Sequence, residues 1–265
     1  MYFIDSHTHL RSLTWQNLEE MYLTGIREII SPVHFDAAKP IDNIVIIETW
    51  EYLVETHFAR AKSNFIKPHA MIGISMVGAP KDNPEMLYKI LPDYLSRAET
   101  VAIGEIGFEP NSRTNNNIDF QESLIRNQLE IAKKMNIPVV FHVPNPPEFK
   151  KKFTDRTLSI CKEHNMMMAN VLIDHCSEVN IKTVLDSGAY VGISVQPFRK
   201  MTPEMAAKII KNYGYDRIML NSDFGSLPSD HLAVPKTAFS LKRLGCKDEE
   251  IERVCCYNAR EFYKL

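Results

Sequence analysis

The stretch QESLIRNQLEIAKKMNIPVVFH, residues 121–142, carries two different periods in succession. Leu124, Ile125, Leu129 and Ala132 recur at three- and four-residue spacing, which predicts an amphipathic helix over 121–135. The pattern stops at MNIP, where an asparagine precedes a β-branched run, and a short buried strand follows. That strand ends in His142, in phase with Val140. Helix, stop, strand and a polar side chain at the strand's carboxyl end make one unit of an α/β protein.

The unit recurs along the chain. Strand-like runs are YFIDS, REIIS, KPHAMIGI, VAIGEIG, IPVVFHV, NVLIDHC, AYVGISV and DRIMLNS. Helical spacing fills 41–63 and 203–212, the latter with Thr202 as N-cap and Pro203 at the first helical position. Helices end at DSGAY and NYGYD as they do at MNIP. Eight strands alternating with helices, with no linker or break, predict one (β/α)8 TIM barrel domain over residues 1–265. An open doubly wound sheet would carry a glycine-rich turn after its first strand. Here that turn is THLRSLT, without glycine.

Composition supports a buried core and is too rich in apolar residues for disorder. Apolar residues make up 45% of the 265, and the net charge of −2 provides no global field toward nucleic acid or anionic membrane. An acidic ligand would need a local basic patch. No apolar run reaches bilayer length, so no membrane partner is expected. The chain enters its first strand without the features of a signal peptide. Its five cysteines are odd in number and lack C-x-x-C spacing, which suits a reducing, cytoplasmic location and argues against a disulfide framework.

Within FIDSHTHL, residues 3–10, strand alternation points His7 and His9 the same way, with Asp5 beneath them. With nine histidines in 265 residues, an H-x-H arises by chance roughly a third of the time. The later strand ends add weight: Glu105 in phase with Val101 and Ile103, His142 with Val140, His175 with Val171 and Ile173, and Asp223 with Met219. Each is placed on the barrel-filling face at the carboxyl end, where barrel enzymes build active sites. Four imidazoles and two carboxylates at one mouth suit two divalent ions of the zinc or manganese type.

These motifs resemble the TatD-like hydrolases of the amidohydrolase superfamily. IDSHTHL, GEIGF, the 121–142 stretch, DHCSE, NSDF and the closing NAREFY match in order along nearly the whole chain. The resemblance implies a metal-dependent hydrolase with His7, His9 and Asp223 on the first ion, Glu105 bridging, and His142 and His175 on the second. No lysine stands where other superfamily members carry a carbamylated one. The implied chemistry is attack by an activated water on phosphorus or carbon, with Asp223 taking its proton and passing it to the leaving group. Asp5 is a candidate buried acceptor behind the histidines.

The substrate positions depart from the family's DNA-cleaving members. Their His-Pro pair after strand three is replaced by Ser75 and Met76 in MIGISMVGAP, and the Arg after the strand-five histidine is missing from HVPNPPEF. His34 in IISPVHFD is expected to face the mouth, and Arg113 in the polar loop EPNSRTNNNID is a second substrate candidate. Arg11, the lysines at 150–152, Arg199 and Lys200 would favour a phosphorylated substrate if they gather at the mouth. His69 is placed at the opposite end, and His231 with Asp230 in a solvated loop. The leading expectation is hydrolysis of a phosphodiester in a nucleic acid or small molecule, with deoxyribonuclease activity as its narrower form. An amide, lactone or other ester on the same metals is the alternative, and a binding module that has lost catalysis is a third.

Overall fold

Eight parallel strands form a single sheet in the computed structural model, which describes every residue except His34, Asp36 and Ser226. They are β1 (Phe3–Asp5), β2 (Ile26–Pro32), β3 (Lys67–Ile72), β4 (Thr100–Gly107), β5 (Val139–His142), β6 (Val171–Ile173), β7 (Tyr190–Ser194) and β8 (Ile218–Asn221). Each pairs in parallel with the next in sequence order. The Ser6 N–H donates to Leu220 O at 3.2 Å and the Asp223 N–H to His7 O at 2.9 Å, which joins the first edge to the last. The expected α/β barrel is what forms.

Helices form where helical spacing predicts them, at 41–63, 121–135 and 203–212, and elsewhere between the strands. They are α1 (Trp15–Leu23), α2 (Asn43–Tyr52), α3 (Phe58–Ser63), α4 (Glu85–Leu95), α5 (Ile118–Met135), α6 (Pro147–Glu163), α7 (Ile181–Ser187), α8 (Pro203–Tyr213), α9 (Ala233–Arg243), α10 (Asp248–Glu252) and α11 (Asn258–Tyr263). Helix α5 buries Leu124, Ile125, Leu129 and Ala132 and ends on Asn136 in the left-handed conformation (φ 51°). It begins earlier than its stripe suggests because Asn117 caps it, accepting from the Phe120 N–H. In α8 the Thr202 side chain accepts from the Met205 N–H, as expected. The 41–63 segment is α2 and α3 joined by a π-helical turn over Leu53–His57. Among the described residues no helix is long and apolar enough to cross a membrane.

Two apolar layers result. Ile4, Ile30, Met71, Ala102, Val140, Leu172 and Met219 fill the barrel, while Ile29, Ile72, Ile103, Phe141, Ile173 and Ile193 pack outward against the helices. The amino end of the barrel is stoppered by α11, whose Ala259, Phe262 and Tyr263 join the inner layer. Asn258 holds it there, donating to Tyr215 O at 2.6 Å and Ile218 O at 2.7 Å. At this same end Glu28, only 2% exposed, takes contacts from His69 at 2.7 Å, Arg260 at 2.6 Å and Tyr2 at 2.8 Å. His69 therefore stands away from the carboxyl rim, as the sequence placed it.

Burial opposes the charge on Glu28, but His69, Tyr2 and Arg260 outweigh it and lower its pKa to about 2. A depressed carboxylate stabilises the fold above its unfolded value, and that contribution is lost as pH falls toward 2. Glu28→Gln should thus cost about 2–4 kcal/mol at neutral pH, because it removes the carboxylate that Arg260, His69 and Tyr2 converge on. In urea titrations the gap from the parent should narrow steadily below about pH 4.5.

Candidate metal centre

The six expected side chains meet at the carboxyl rim. Glu105 Oε1 lies 2.7 Å from His175 Nε2 and 3.1 Å from His142 Nδ1, while Oε2 lies 3.9 Å from His7 Nε2. Asp223 Oδ1 is 3.3 Å from His9 Nε2 and 3.8 Å from His7 Nε2. Among the described residues, two overlapping groups have donor atoms all within 4.8 Å: His7, Glu105, Asp174 and His175, and His7, His9 and Asp223. His142 joins the first through Glu105.

The route to this geometry differs from simple strand alternation. Only His142 and Asp223 share parity with inward residues, Val140 and Met219. Ile103 and Ile173 face outward, so regular alternation would turn Glu105 and His175 away from the barrel axis. The pairing of β4 with β5 shifts register between Ile103 and Ile106, and His175 takes a left-handed backbone (φ 57°), as does Asp223 (φ 43°). Nor do His7 and His9 lie on a strand, since β1 ends at Asp5. The segment beyond it stays extended between its neighbours, with the Thr8 N–H on Ile30 O at 3.0 Å and the His9 N–H on Phe224 O at 2.9 Å.

Asp5 is not behind the imidazole rings. Its Oδ1 accepts from the backbone N–H groups of Ser222 at 3.0 Å and His7 at 3.3 Å, and burial raises its pKa to about 7. The acceptor behind His7 is Asp174, with Oδ2 2.6 Å from His7 Nδ1. Asp174 Oδ1 accepts from the His175 N–H at 2.8 Å and Asn221 Nδ2 at 2.9 Å. Engaged through both oxygens, Asp174 is placed to orient His7. Its parity with the inward Leu172 was the sequence signal for it. Gly192 makes room, because a Cβ there would lie 2.2 Å from Asp174 Oδ1.

A cation fits this donor set. His7 Nε2 is buried and has no hydrogen-bond partner, yet faces Glu105 and Asp223 oxygens at 3.9 and 3.8 Å. Those gaps are too long for hydrogen bonds and match donors sharing one ion at bond lengths of about 2.1 Å, which lie about 3–4 Å apart. Burial opposes protonation of His7 and His142, but the surrounding carboxylates together outweigh it and raise each to about 9: Glu105 with Asp174 and Asp223 at His7, and Glu105 with Glu109 at His142. Protons and cations therefore compete for the same atoms. His175 is lowered by burial and Lys200, and its Nδ1 lies 2.6 Å from Ser194 Oγ, leaving Nε2 toward Glu105.

The cavity above these groups measures about 220 Å³. Val33, Phe35, Val77, Val143 and Leu227 give it apolar walls, and Ser75 and Asn145 also line it. Three contributors escaped sequence reading in these roles. Glu109 Oε2 lies 3.3 Å from His142 Nε2, Lys200 Nζ lies 2.6 Å from Asp223 Oδ2, and buried Lys150 donates to His175 O. Arg199 lines the cavity too. Arg113 is exposed in the loop after β4 and does not line it, and His34 lies outside the described residues. His231 pairs with Glu20 at 2.6 Å, away from the site.

Ion-spaced donors at the carboxyl rim of a parallel barrel are the arrangement of a metal-dependent hydrolase, and comparison with known proteins narrows the class. The family described as TatD related DNase matches residues 4–264, so the chain belongs to the TatD family. A relative from Methanocaldococcus jannaschii, named an uncharacterized metal-dependent hydrolase, is 36% identical over 262 residues, covering 99% of this chain and 100% of that one. The crystal structure of a TatD-like protein from Archaeoglobus fulgidus superposes with a TM-score of 0.79 at 28% identity, covering 99% and 100% of the two chains. A TatD homologue from Escherichia coli K12 shares the fold, with a TM-score of 0.68 at 18% identity over 99% and 98%.

Replacing Asp174 by Asn should free the His7 tautomer without emptying the barrel. Calorimetric titration with zinc or manganese is expected to show affinity weakened about 10–100-fold, with circular dichroism unchanged.

Proposed function

We propose that this hydrolase cleaves a phosphodiester, with single-stranded DNA as its test substrate. The observation that carries this is the cationic flank of the metal cavity: Arg199 makes no ion pair among the described residues, and Lys200 stands beside it on the loop after β7. Phe198 on the same loop is 72% exposed, the kind of ring on which a base can stack.

In this mechanism His7, His9 and Asp223 would hold one divalent ion, and Glu105, His142 and His175 would hold a second. Bound cations would supply water activation near neutral pH and polarisation of a phosphoryl oxygen. Asp174 holds His7 in the tautomer that turns Nε2 inward, and Ser194 does the same for His175. Asp223 is the proton carrier, taking a proton from the attacking water and returning it to the leaving oxygen. Its ionised form is secured by Lys200 and His9, which outweigh burial and hold its pKa well below the usual carboxylate range. Glu109 steadies the far nitrogen of His142.

A second reading draws on the narrowness of the cavity. At about 220 Å³ with apolar walls it would also take a small lactone, amide or ester. The two part on a substrate panel. Metal-loaded protein should cut short single-stranded DNA and prefer phosphodiesters to lactones, and His142→Ala should abolish the cleavage. Inert, metal-replete protein would remove the phosphodiester reading. Asp223→Asn should reduce kcat by on the order of 10²–10⁴ in steady-state assays.

A further inference from the structure

Beside the metal cavity lies a second hollow of about 290 Å³, and Asn145, His175, Arg199 and Lys200 line both. The two therefore adjoin. The inner wall of the second is Lys150, from the first turn of α6, which is only 3% exposed. Its ammonium donates to the His175 carbonyl and forms no ion pair among the described residues. The exposed Arg199 also lines the hollow and likewise forms no ion pair among the described residues, and Ser177 adds a hydroxyl.

A buried ammonium without a counter-charge is costly, and a carbonyl oxygen offsets only part of that cost. The nearby carboxylate of Asp223 is already engaged by Lys200. A lysine that served packing alone could be an apolar side chain of similar length. Two basic side chains that line one hollow and form no ion pair among the described residues instead describe a place for an anion from outside: a point charge at the back and a fork of donors at the rim.

We propose that Lys150, Arg199 and Ser177 form an anion subsite that takes a second phosphate of the substrate, one position along the strand from the phosphate being cleaved. The subsite rests on the phosphodiester reading above, and it makes a chain bearing neighbouring phosphates the preferred substrate over an isolated diester. It also gives a reason for the acidic metal cavity to be flanked by positive charge on this side.

Two measurements test it. Inorganic phosphate should raise the Tm of EDTA-treated protein above that in potassium chloride of matched ionic strength, and Lys150→Met and Arg199→Ala should each lose that increment. With metal-loaded protein, a dinucleotide carrying an added terminal phosphate at its 5′ or 3′ end should show a KM about tenfold lower than the same dinucleotide with its internal phosphate alone. In the variants the two KM values should converge to within about twofold. Should Lys150→Met misfold by circular dichroism, Arg199→Ala at its exposed position decides alone. Equal KM values in the active parent, or phosphate protection undiminished in Arg199→Ala, overturn the subsite. Phosphate protection without cleavage of any diester supports an anion site while overturning the phosphodiester reading.

Discussion

A buried imidazole has two nitrogens, and only one can be offered to an ion. The 2.6 Å contact between His7 Nδ1 and Asp174 settles which. Much else in the site is arranged around that carboxylate: Gly192 leaves the space, Asn221 and the His175 N–H occupy its other oxygen, and Ser194 lies 3.4 Å from it while facing His175. Burial opposes a charge on Asp174, but His175 and His7 hold its carboxyl below the usual range. The group is thus a fixed negative charge beneath the mouth. Ser194, Asn221 and the Asp174–His175 pair come from the ends of β7, β8 and β6, so the barrel's closure and the site's geometry are the same constraint.

Much of this was legible in sequence because barrels repeat. Period-four stripes such as that of α5, the caps at Thr202 and Asn136, and the β-branched runs located the strands and the helices at 41–63, 121–135 and 203–212 from local chemistry alone. The ion-spaced side chains were legible as residue types at strand ends. Their orientation was not. Alternation gives the facing of His142 and Asp223 but the wrong facing for Glu105 and His175, since a register shift and left-handed backbone redirect the chain there. Such departures are settled by pairing with the neighbouring strand, which no local period reports. Asp174 was hidden by its neighbour: in DHCSE the histidine draws attention, although the aspartate has the inward parity.

The flanking groups were less legible for another reason. Lys150 sits in a run of three lysines, which reads as a solvated helix face. It alone of the three is buried, because it occupies the first turn of α6, where the helix abuts the end of β6. Lys200 lies in a loop, whose path is fixed by what it packs against. Arg113 had the same claim from sequence and stays exposed. Position along the chain assigns a basic residue to the mouth side of the barrel, and only tertiary contact decides between cavity and solvent.

Charge at the mouth is layered. Carboxylates and imidazoles form the floor, apolar side chains the near walls, and cations one flank. In the proposed mechanism the ion pair between Lys200 and Asp223 links floor to flank. While it stands, the lysine disfavours protonation of the carboxylate, as the lowered pKa of Asp223 records. An incoming anionic oxygen competes for the same ammonium, and as the lysine turns toward it Asp223 regains basicity. A neutral ester offers no such competition and leaves the pair intact. Substrate charge would then set the readiness of the proton carrier as well as binding, so a preference for anionic substrates would be expressed in kcat as well as in KM.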